Sequence, residues 1–455
     1  MVDVNIRKAL LPLFYELKGF TRLKYFFELQ KRDLKSYDEL KELQWKKLKG
    51  LINHCYNNIP YYKSLFNSLE LHPDYIKDES DVKNIPILTR DILRSNYENL
   101  FDPALDRAKL WHDKTSGSTG HALHYVRSMD EKEYAFALKY RSNSWVGWNY
   151  YDRSAWFVTD ARHITQINSL KGKMSLLMAG RLQINTKNIT RNEMFGWADK
   201  IISFKPSAIY GYSSLLAEFS EFLIENEISL EGIKRVVSTA EPLNKREIIS
   251  RGFNAPVFDQ YGASEVPCIG HECEYGSMHI NFDEIFIEFE EISPESDMKK
   301  IIVTPLFVNS FPLLRYELGD AAVPSMGTCK CSLPYPVMEL KAGRISDNLV
   351  TRSGRIISGV TVGWYINYLT TNIRQFQIVQ NDYEDILVNV VSDNFQNIED
   401  DNAIISYFKN TFENADLNIK VNYTNRITPG KNGKIRTVIS KVMETPNTDN
   451  VIAYV

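Results

Sequence analysis

A short segment rich in hydroxyl side chains could bind phosphate. It comprises Thr115, Ser116, Gly117, Ser118, Thr119 and Gly120. Backbone N–H and side-chain O–H donors in such a loop can point together at an anion, and the glycines let the backbone approach it closely. The segment lacks the Gly-Lys-Ser/Thr of a Walker loop and the Gly-x-Ser-x-Gly of a hydrolase elbow. It is therefore a candidate phosphate-binding loop, although an ordinary turn can have the same composition.

Acidic and aromatic residues in three later segments could bind a nucleotide. The candidates are Ala240, Glu241 and Pro242, then Asp259, Tyr261, Gly262, Ser264 and Glu265, and finally Asp320 and Arg344. The ring of Tyr261 could lie against a purine, and the carboxylate of Glu265 could hold Mg²⁺. Asp320 could accept both hydroxyls of a ribose. Taken singly, each segment is equally consistent with a strand end and a solvated charge.

Three cysteines and one histidine could bind a metal. The proposed ligands are Cys273, His279, Cys329 and Cys331. Three thiolates and one imidazole complete a tetrahedral zinc site, which leaves no coordination position open for catalysis and is therefore structural. Cys268 and His271 lie close enough in the sequence to compete for these places.

The elements that position these residues change along the chain. Residues 1–70 have apolar positions at helical spacing, which predicts a helical segment, and its lysines and arginines fit a solvated face better than a membrane surface. From 85 to 340, helical patterns alternate with short strands such as 207–210, 236–239 and 257–259, which indicates an α/β domain with parallel strands. The last hundred residues alternate strands with one helix, which predicts a small α+β domain. We predict that the large domain comprises residues 1–344 and the small domain residues 345–455.

Composition excludes several classes of protein. Of 455 residues, 44% are hydrophobic and 24% are charged, which is typical of a globular chain and not of a disordered one. The net charge of −3 gives no general attraction to nucleic acid or to an anionic membrane. No apolar run approaches the ~20 residues that would span a bilayer, and the N-terminus does not have the pattern of a secretory signal. We therefore expect a cytoplasmic protein without a transmembrane segment.

Taken together, the segments resemble the adenylate-forming ligases, and within them the branch of the phenylacetate–CoA ligases and the capsule-locus proteins labelled CapK. The resemblance covers nearly the whole chain. It implies a large α/β domain, a small mobile C-terminal domain, and a reaction in which a carboxylate attacks ATP to form an acyl-adenylate and pyrophosphate. A thiol or an amine then displaces AMP.

The resemblance also implies roles for single residues. The loop 115–120 would hold the β- and γ-phosphates of ATP, Glu265 would bind Mg²⁺, and Asp320 would bind the ribose. Lys434, on the small domain, would bridge the attacking carboxylate and the α-phosphate, and Asp347 would be the hinge. The acyl pocket would lie near Tyr210, Gly211, Tyr212 and Ser213. Zinc occurs in some members of this branch at similar positions.

The substrate and the acceptor are less specified by the sequence. Aromatic residues between 145 and 157 could line a pocket for an arylacetate or for a sugar ring, although most of them are expected in the core. One interpretation is an amide-forming ligase that tailors capsular polysaccharide or O-antigen, with an amino acid or amino sugar as acceptor. A second interpretation is an aryl- or acyl-CoA ligase that uses CoA. A third is a non-catalytic scaffold of the same fold. A homodimer is left open.

Overall fold

The described part of the chain has three regions: an N-terminal group of helices, a large sheet with helices on its faces, and a small C-terminal sheet. In this computed structural model, the described residues are 4–115, 123–158, 170–186, 189–241, 243, 245–291, 299–325, 329–342, 349–353, 355–357, 359, 362–363, 365–366, 373–392, 398–427 and 437–444. All structural statements below concern these residues.

The N-terminal region is helical, which confirms the prediction for residues 1–70. Its helices are α1 Val4–Lys18, α2 Arg22–Gln30, α3 Tyr37–Asn58 and α4 Pro60–Ser68. Helix α3 begins with a capping box, in which the Ser36 hydroxyl accepts from the backbone of Glu39 at 3.2 Å and the Glu39 carboxylate accepts from the backbone of Ser36 at 2.8 Å. Its buried side chains recur at helical spacing, as in Leu40, Leu48, Leu51 and Ile52.

Basic residues of this region pair with acids of the large domain. Arg22 in α2 binds both carboxylate oxygens of Glu133. Lys47 in α3 donates to the buried Glu284, which also accepts from Arg32. These ion pairs hold the helices against the domain, so these cations are not available to a membrane surface.

The large sheet has eleven strands, of which five adjacent ones are parallel. The parallel strands, in spatial order, are β4 Arg181–Asn185, β3 Ser154–Val158, β5 Ala208–Tyr212, β6 Arg235–Thr239 and β7 Val257–Tyr261. Helices α7 Leu170–Ala179, α8 Arg191–Phe204, α9 Ser213–Glu225 and α10 Arg246–Phe253 connect them. In α9, apolar residues at 215, 216, 219, 222 and 223 form the stripe that packs on the sheet. The alternation predicted from the sequence is confirmed.

The other six strands are antiparallel and extend the same sheet. They are β8 Gly270–Glu272, β9 Met278–Ile280, β10 Ile285–Glu291, β11 Lys299–Pro305, β12 Tyr316–Ser325 and β13 Val337–Ala342. A separate hairpin pairs β1 Trp111–Lys114 with β2 His124–Arg127. Helix α5 Arg90–Ser95 precedes the hairpin, and the long helix α6 Met129–Ser144 follows it. This arrangement brings the strand β12 and the hairpin close to the carboxyl end of β7, as the contacts below show.

The C-terminal region has its own core. A short hairpin, β14 Leu349–Val350 and β15 Ile356–Ile357, precedes a sheet in the order β18-β17-β16-β19. Its members are β16 Ile373–Asp382, β17 Asp385–Ser392, β18 Asn418–Tyr423 and β19 Val438–Ser440, with the helices α11 Ile398–Phe412 and α12 Lys441–Glu444. Phe376, Val388 and Phe408 are buried together in this core. The small α+β domain is therefore confirmed, whereas the joint between 344 and 345 lies outside the described residues and stays a prediction.

Among the described residues, no helix combines the length and the apolar character that crossing a bilayer requires.

Candidate functional site

Three of the predicted segments meet at one edge of the large sheet. Strands β5, β6 and β7 are neighbours and parallel, so their carboxyl ends lie side by side. Tyr212 ends β5, Ala240 follows β6, and Tyr261 ends β7. Ligands of open parallel sheets bind at this edge, because the connecting loops form a crevice there.

The turn after β6 is strained and carries a buried carboxylate. Ala240 has a positive φ of 70°, a left-handed conformation that is uncommon for residues with a Cβ. The next residue, Glu241, accepts a hydrogen bond of 2.8 Å from the backbone N–H of Ser214 in the first turn of α9. The Glu241 carboxylate therefore stabilises the start of α9 and holds the end of β6 next to the end of β5.

Tyr261 and Asp320 are brought together from segments 59 residues apart. The Tyr261 hydroxyl donates a hydrogen bond of 3.0 Å to Asp320 Oδ2. Burial, together with the nearby Asp320 carboxylate, raises the pKa of Tyr261, so the phenol stays protonated and remains a donor. At Gly262, an added Cβ would lie 2.6 Å from the backbone nitrogen of Cys268, so only glycine fits this turn.

Replacing Tyr261 by phenylalanine removes this hydrogen bond and keeps the ring. We expect the free energy of unfolding to fall by about 1–2 kcal/mol, because the Asp320 carboxylate loses a partly buried donor. Urea unfolding of the nucleotide-free protein measures this loss. Tyr275→Phe is the matched control, since Tyr275 is 58% exposed and should change stability by less than about 0.5 kcal/mol. Equal stabilities of the two variants would contradict the role given to the hydroxyl.

Glu265 is buried beside three residues, Tyr316, Arg90 and Arg127, that sequence reasoning missed as site residues. Its Oε1 accepts from the Tyr316 hydroxyl at 3.0 Å and lies 3.4 Å from Arg90 Nη2. Arg127 in β2 donates to the backbone carbonyls of Ser264 and Glu265, at 2.8 and 2.9 Å. Arg90 and Arg127 precede Glu265 by 175 and 138 residues. No local spacing could have connected them to it.

Asp259 faces an ionic pair on β8 and α10. Its backbone N–H donates to Glu272 Oε2 at 2.8 Å, and Glu272 is also bound by Arg246. Burial, and then the charge of Glu272, raise the pKa of Asp259 to about 7. Asp259 stands two residues before the end of β7. Its predicted role at the nucleotide stays a prediction.

The segment 210–213, for which the resemblance predicts a place near the acyl pocket, ends β5 and begins α9. Tyr210 in β5 donates a hydrogen bond of 2.8 Å to Gln260 Oε1 and accepts one of 2.7 Å from Lys139 Nζ. At Gly211, an added Cβ would approach Phe157 Cβ to 3.0 Å, so the glycine allows β3 and β5 to pack closely. Ser213 is buried in the first turn of α9. Trp148 and Trp156 are buried next to Tyr210, as expected for core aromatics.

The described residues include only the start of the candidate phosphate loop. Thr115 follows β1, and its hydroxyl accepts from the backbone N–H of Leu123 at 2.9 Å, which closes the base of the loop. The other predicted residues that lie outside the described residues are Ser116, Gly117, Ser118, Thr119, Gly120, Pro242, Arg344, Asp347 and Lys434. Their roles stay predictions.

The four predicted metal ligands converge. Cys273, His279, Cys329 and Cys331 have ligand atoms that all lie within 4.8 Å of one another. The Sγ atoms of Cys273 and Cys329 are 3.5 Å apart, and Cys331 Sγ lies 3.1 Å from His279 Nε2. A tetrahedral zinc with Zn–S bonds of ~2.3 Å requires sulfur–sulfur separations of about 3.8 Å, so the donor set fits this ion.

The surroundings favour this ligand set over the competitors. His279 Nδ1 lies 2.8 Å from the carbonyl of Tyr335, and a proton on Nδ1 leaves Nε2 free to coordinate. His271 instead binds the Glu272 carbonyl and the Asn143 side chain, at 2.6 and 3.1 Å. Burial lowers the pKa of His271 to about 4, so this imidazole is neutral and structural.

Comparison with known proteins relates the chain to CapK and to the phenylacetate–CoA ligases. The sequence family described as the CapK C-terminal domain matches residues 349–441. The chain is 25% identical to Protein CapK of Staphylococcus aureus over 435 residues, which are 92% of this chain and 93% of that protein. It is 25% identical to the phenylacetate-coenzyme A ligase of Escherichia coli (strain K12) over 334 residues, which are 70% of this chain and 74% of the ligase.

A solved structure has the same fold. The 2-hydroxyisobutyryl-CoA ligase, in complex with 2-HIB-AMP and CoA in the thioesterification state, superposes with a TM-score of 0.62 and 16% identity. The likeness covers 92% of this chain and 94% of that ligase, so it includes both the large sheet and the small C-terminal region.

Proposed function

We propose that this chain, a homologue of CapK and of the phenylacetate–CoA ligases, activates a carboxylate with ATP and transfers the acyl group to an amine. The observation that carries this proposal is the convergence of Tyr261, Glu265 and Asp320 beside the carboxyl ends of β5, β6 and β7. A scaffold protein would need none of these groups at a ligand-binding edge.

The proposed reaction has two steps. A carboxylate oxygen of the substrate bonds to the α-phosphorus of ATP, the bond from that phosphorus to the bridging oxygen breaks, and pyrophosphate leaves. An amine nitrogen then bonds to the acyl carbon, AMP leaves, and the nitrogen gives up a proton. Asp320 would orient the ribose, with its own position set by the Tyr261 hydroxyl, and Lys434 would neutralise charge at the α-phosphate. Such displacements depend mainly on positioning and charge neutralisation.

Glu265 fits a magnesium site of the kind that nucleotides use. Mg²⁺ in such sites is commonly held by one or two carboxylates together with substrate phosphates, so a single buried carboxylate suffices. When bound, the ion neutralises charge on the phosphates. Tyr316 and Arg90 hold the Glu265 carboxylate in one orientation, and Arg127 fixes the backbone that carries it.

The acceptor is proposed to be an amine on a precursor of capsular polysaccharide or O-antigen. The relative labelled CapK aligns with 92% of the chain, whereas the Escherichia coli phenylacetate-coenzyme A ligase aligns with 70%. The CapK C-terminal family also matches residues 349–441, which form the small domain. The alternative is thioester formation with CoA, which the phenylacetate–CoA ligase homologues favour.

Release of pyrophosphate and AMP over a panel of carboxylates tests both steps. We expect pyrophosphate release with ATP and Mg²⁺ for a subset of acids, and AMP release only when an amino acid or amino sugar is added. Turnover of an arylacetate that requires CoA would overturn the amide-forming reaction in favour of the CoA ligase. If no pair of substrates releases pyrophosphate or AMP, the proposed reaction is wrong and the interpretation as a non-catalytic scaffold is favoured.

A further inference from the structure

Two cationic side chains share one aromatic wall below the carboxyl end of β5. The ammonium of Lys139, in α6, lies 5.0 Å from the ring centroid of Trp156 and 4.2 Å from that of Tyr210. The guanidinium carbon of Arg181, in β4, lies 3.9 Å from the same Trp156 centroid. Two positive charges therefore contact the same indole, on the face of the sheet that α6 covers.

Neither cation has a carboxylate partner among the described residues. The ionisable groups that act on Lys139 are Cys268, Arg181 and Tyr140, none of which is an acid with a negative charge at pH 7. Burial lowers the pKa of Lys139 to about 8, so its ammonium is still mostly protonated at neutral pH. Arg181 donates to the Tyr140 hydroxyl at 2.5 Å, while its buried Nε has no hydrogen-bond partner in the described structure.

Two other buried cations have an acidic partner. Arg141 binds Asp283 at 2.9 Å and Arg315 binds Glu288 at 2.9 Å. A buried charge is costly when it lacks a counter-charge. A contact with an aromatic face offsets only part of that cost and leaves the charge in place. Lys139 and Arg181 therefore differ from Arg141 and Arg315 in having no carboxylate partner among the described residues.

Lys139 and Arg181 lie next to Tyr210, one of the residues predicted to be near the acyl pocket. Tyr210, which accepts from Lys139, lies two residues before Tyr212 at the end of β5. A strand rises ~3.3 Å per residue, so the Tyr210 position is about 7 Å below the edge where Tyr261 and Asp320 lie. Lys139 as a whole residue keeps part of its surface accessible.

We propose that the carboxylate substrate carries a second anionic group, and that Lys139 and Arg181 bind this group while Trp156 and Tyr210 contact the carbon skeleton beside it. The inference rests on the proposed carboxylate-activating function and names its substrate class. A short dicarboxylic acid and a sugar acid with a second acidic group both have this chemistry, and the aromatic wall suits either skeleton.

The test compares dianions with size-matched monoanions in ATP–pyrophosphate exchange with the full chain. The probes are adipate and its monomethyl ester, and glucuronic acid with and without an anomeric phosphate. We expect kcat/KM to be about tenfold to a hundredfold higher for the preferred dianion, the range for one or two charge-assisted hydrogen bonds. In Lys139→Met this preference should disappear through loss of rate with the dianion, whereas Lys139→Arg should keep it.

Lys132→Met is the matched control. Lys132 lies on the same helix, but its ammonium lies over Trp111, 3.0 Å from the ring centroid. This variant should keep the preference of the wild type. Equal rates for dianions and monoanions in the wild type, or an unchanged preference in Lys139→Met, would overturn the proposal and leave the two cations a packing role.

A binding measurement separates this proposal from the proposed function. A ligand that binds only the folded chain raises its melting temperature. We expect such a rise with the preferred dianion, none with its monoanion, and none in Lys139→Met. If no acid supports ATP–pyrophosphate exchange but the melting temperature rises only with the dianion, the proposed carboxylate activation is wrong and the proposed anion site is supported. If monoanions support exchange and no dianion raises the melting temperature, only the proposed anion site is wrong.

Discussion

Lys434→Ala is expected to slow ATP–pyrophosphate exchange by about 10²- to 10³-fold. This is the range observed when one group that stabilises charge in a transition state is removed. The ammonium would act where the carboxylate oxygen and the α-phosphate, both negative, come together, so its loss should affect kcat far more than the KM for ATP. The residue is named by the resemblance, because Lys434 lies outside the described residues.

The same glycine-rich segment supplies a matched control for this prediction. Lys431 stands three residues earlier, and Lys431→Ala should leave the exchange rate within about threefold of the wild type. A second assay supplies a preformed acyl-adenylate and measures its consumption by the acceptor. Lys434→Ala should retain this second step, since AMP is displaced there without attack on phosphorus. Unchanged exchange in Lys434→Ala would remove Lys434 from the adenylation step.

Cys331→Ser is expected to abolish zinc binding and to destabilise the chain by several kcal/mol. The four side chains join β9 and the segments on either side of it, so a bound ion would hold these parts of the sheet together. Structural zinc contributes folding free energy directly, with apparent binding free energies of about 10 kcal/mol or more in small zinc domains. Metal analysis of protein purified without chelator should find one zinc per chain in the wild type and close to none in the variant.

Cys55→Ala is the control for the loss of a thiol. Cys55 is buried in the core near α3 and is not part of the cluster, so this variant should keep the zinc and lose only the stability that a small cavity costs, about 1 kcal/mol. Addition of a strong chelator to the wild type should reproduce the lower melting temperature of Cys331→Ser. A wild-type chain without zinc, and with a melting temperature that chelator does not change, would contradict the site.

The fold was largely predictable from the sequence because its signals are local. The capping box at Ser36 and Glu39, and the apolar stripe of α9, each lie within a few residues of chain. The short strands at β5, β6 and β7 follow helices at regular intervals, and such alternation leads to adjacent parallel strands. The carboxyl ends of these strands, and the residues Ala240 and Tyr261 that follow them, could therefore be placed at one edge in advance.

The partners of the site residues could not be predicted in this way. Arg90 lies 175 residues from Glu265, and each looks like an ordinary solvated charge in its own segment. Their contact depends on how β12 and the β1–β2 hairpin approach β7, which no local pattern specifies. The sequence predicts His279 as a metal ligand and leaves His271 as a competitor. The different surroundings of the two imidazoles, which are paired across β8 and β9, appear only in the fold.

The sequence by itself determined which residue types recur, in which order, and on which kinds of element. This was enough to recognise the likeness to CapK and the phenylacetate–CoA ligases and to predict ATP and zinc as ligands. Only the tertiary structure decided which charges are neutralised. Lys139 and Arg181 stand 42 residues apart and belong to different elements, so nothing in the sequence suggests that they contact one indole and have no carboxylate partner among the described residues. The energy of a charge depends on its distance from every other charge and from water, and those distances exist only after the chain has folded.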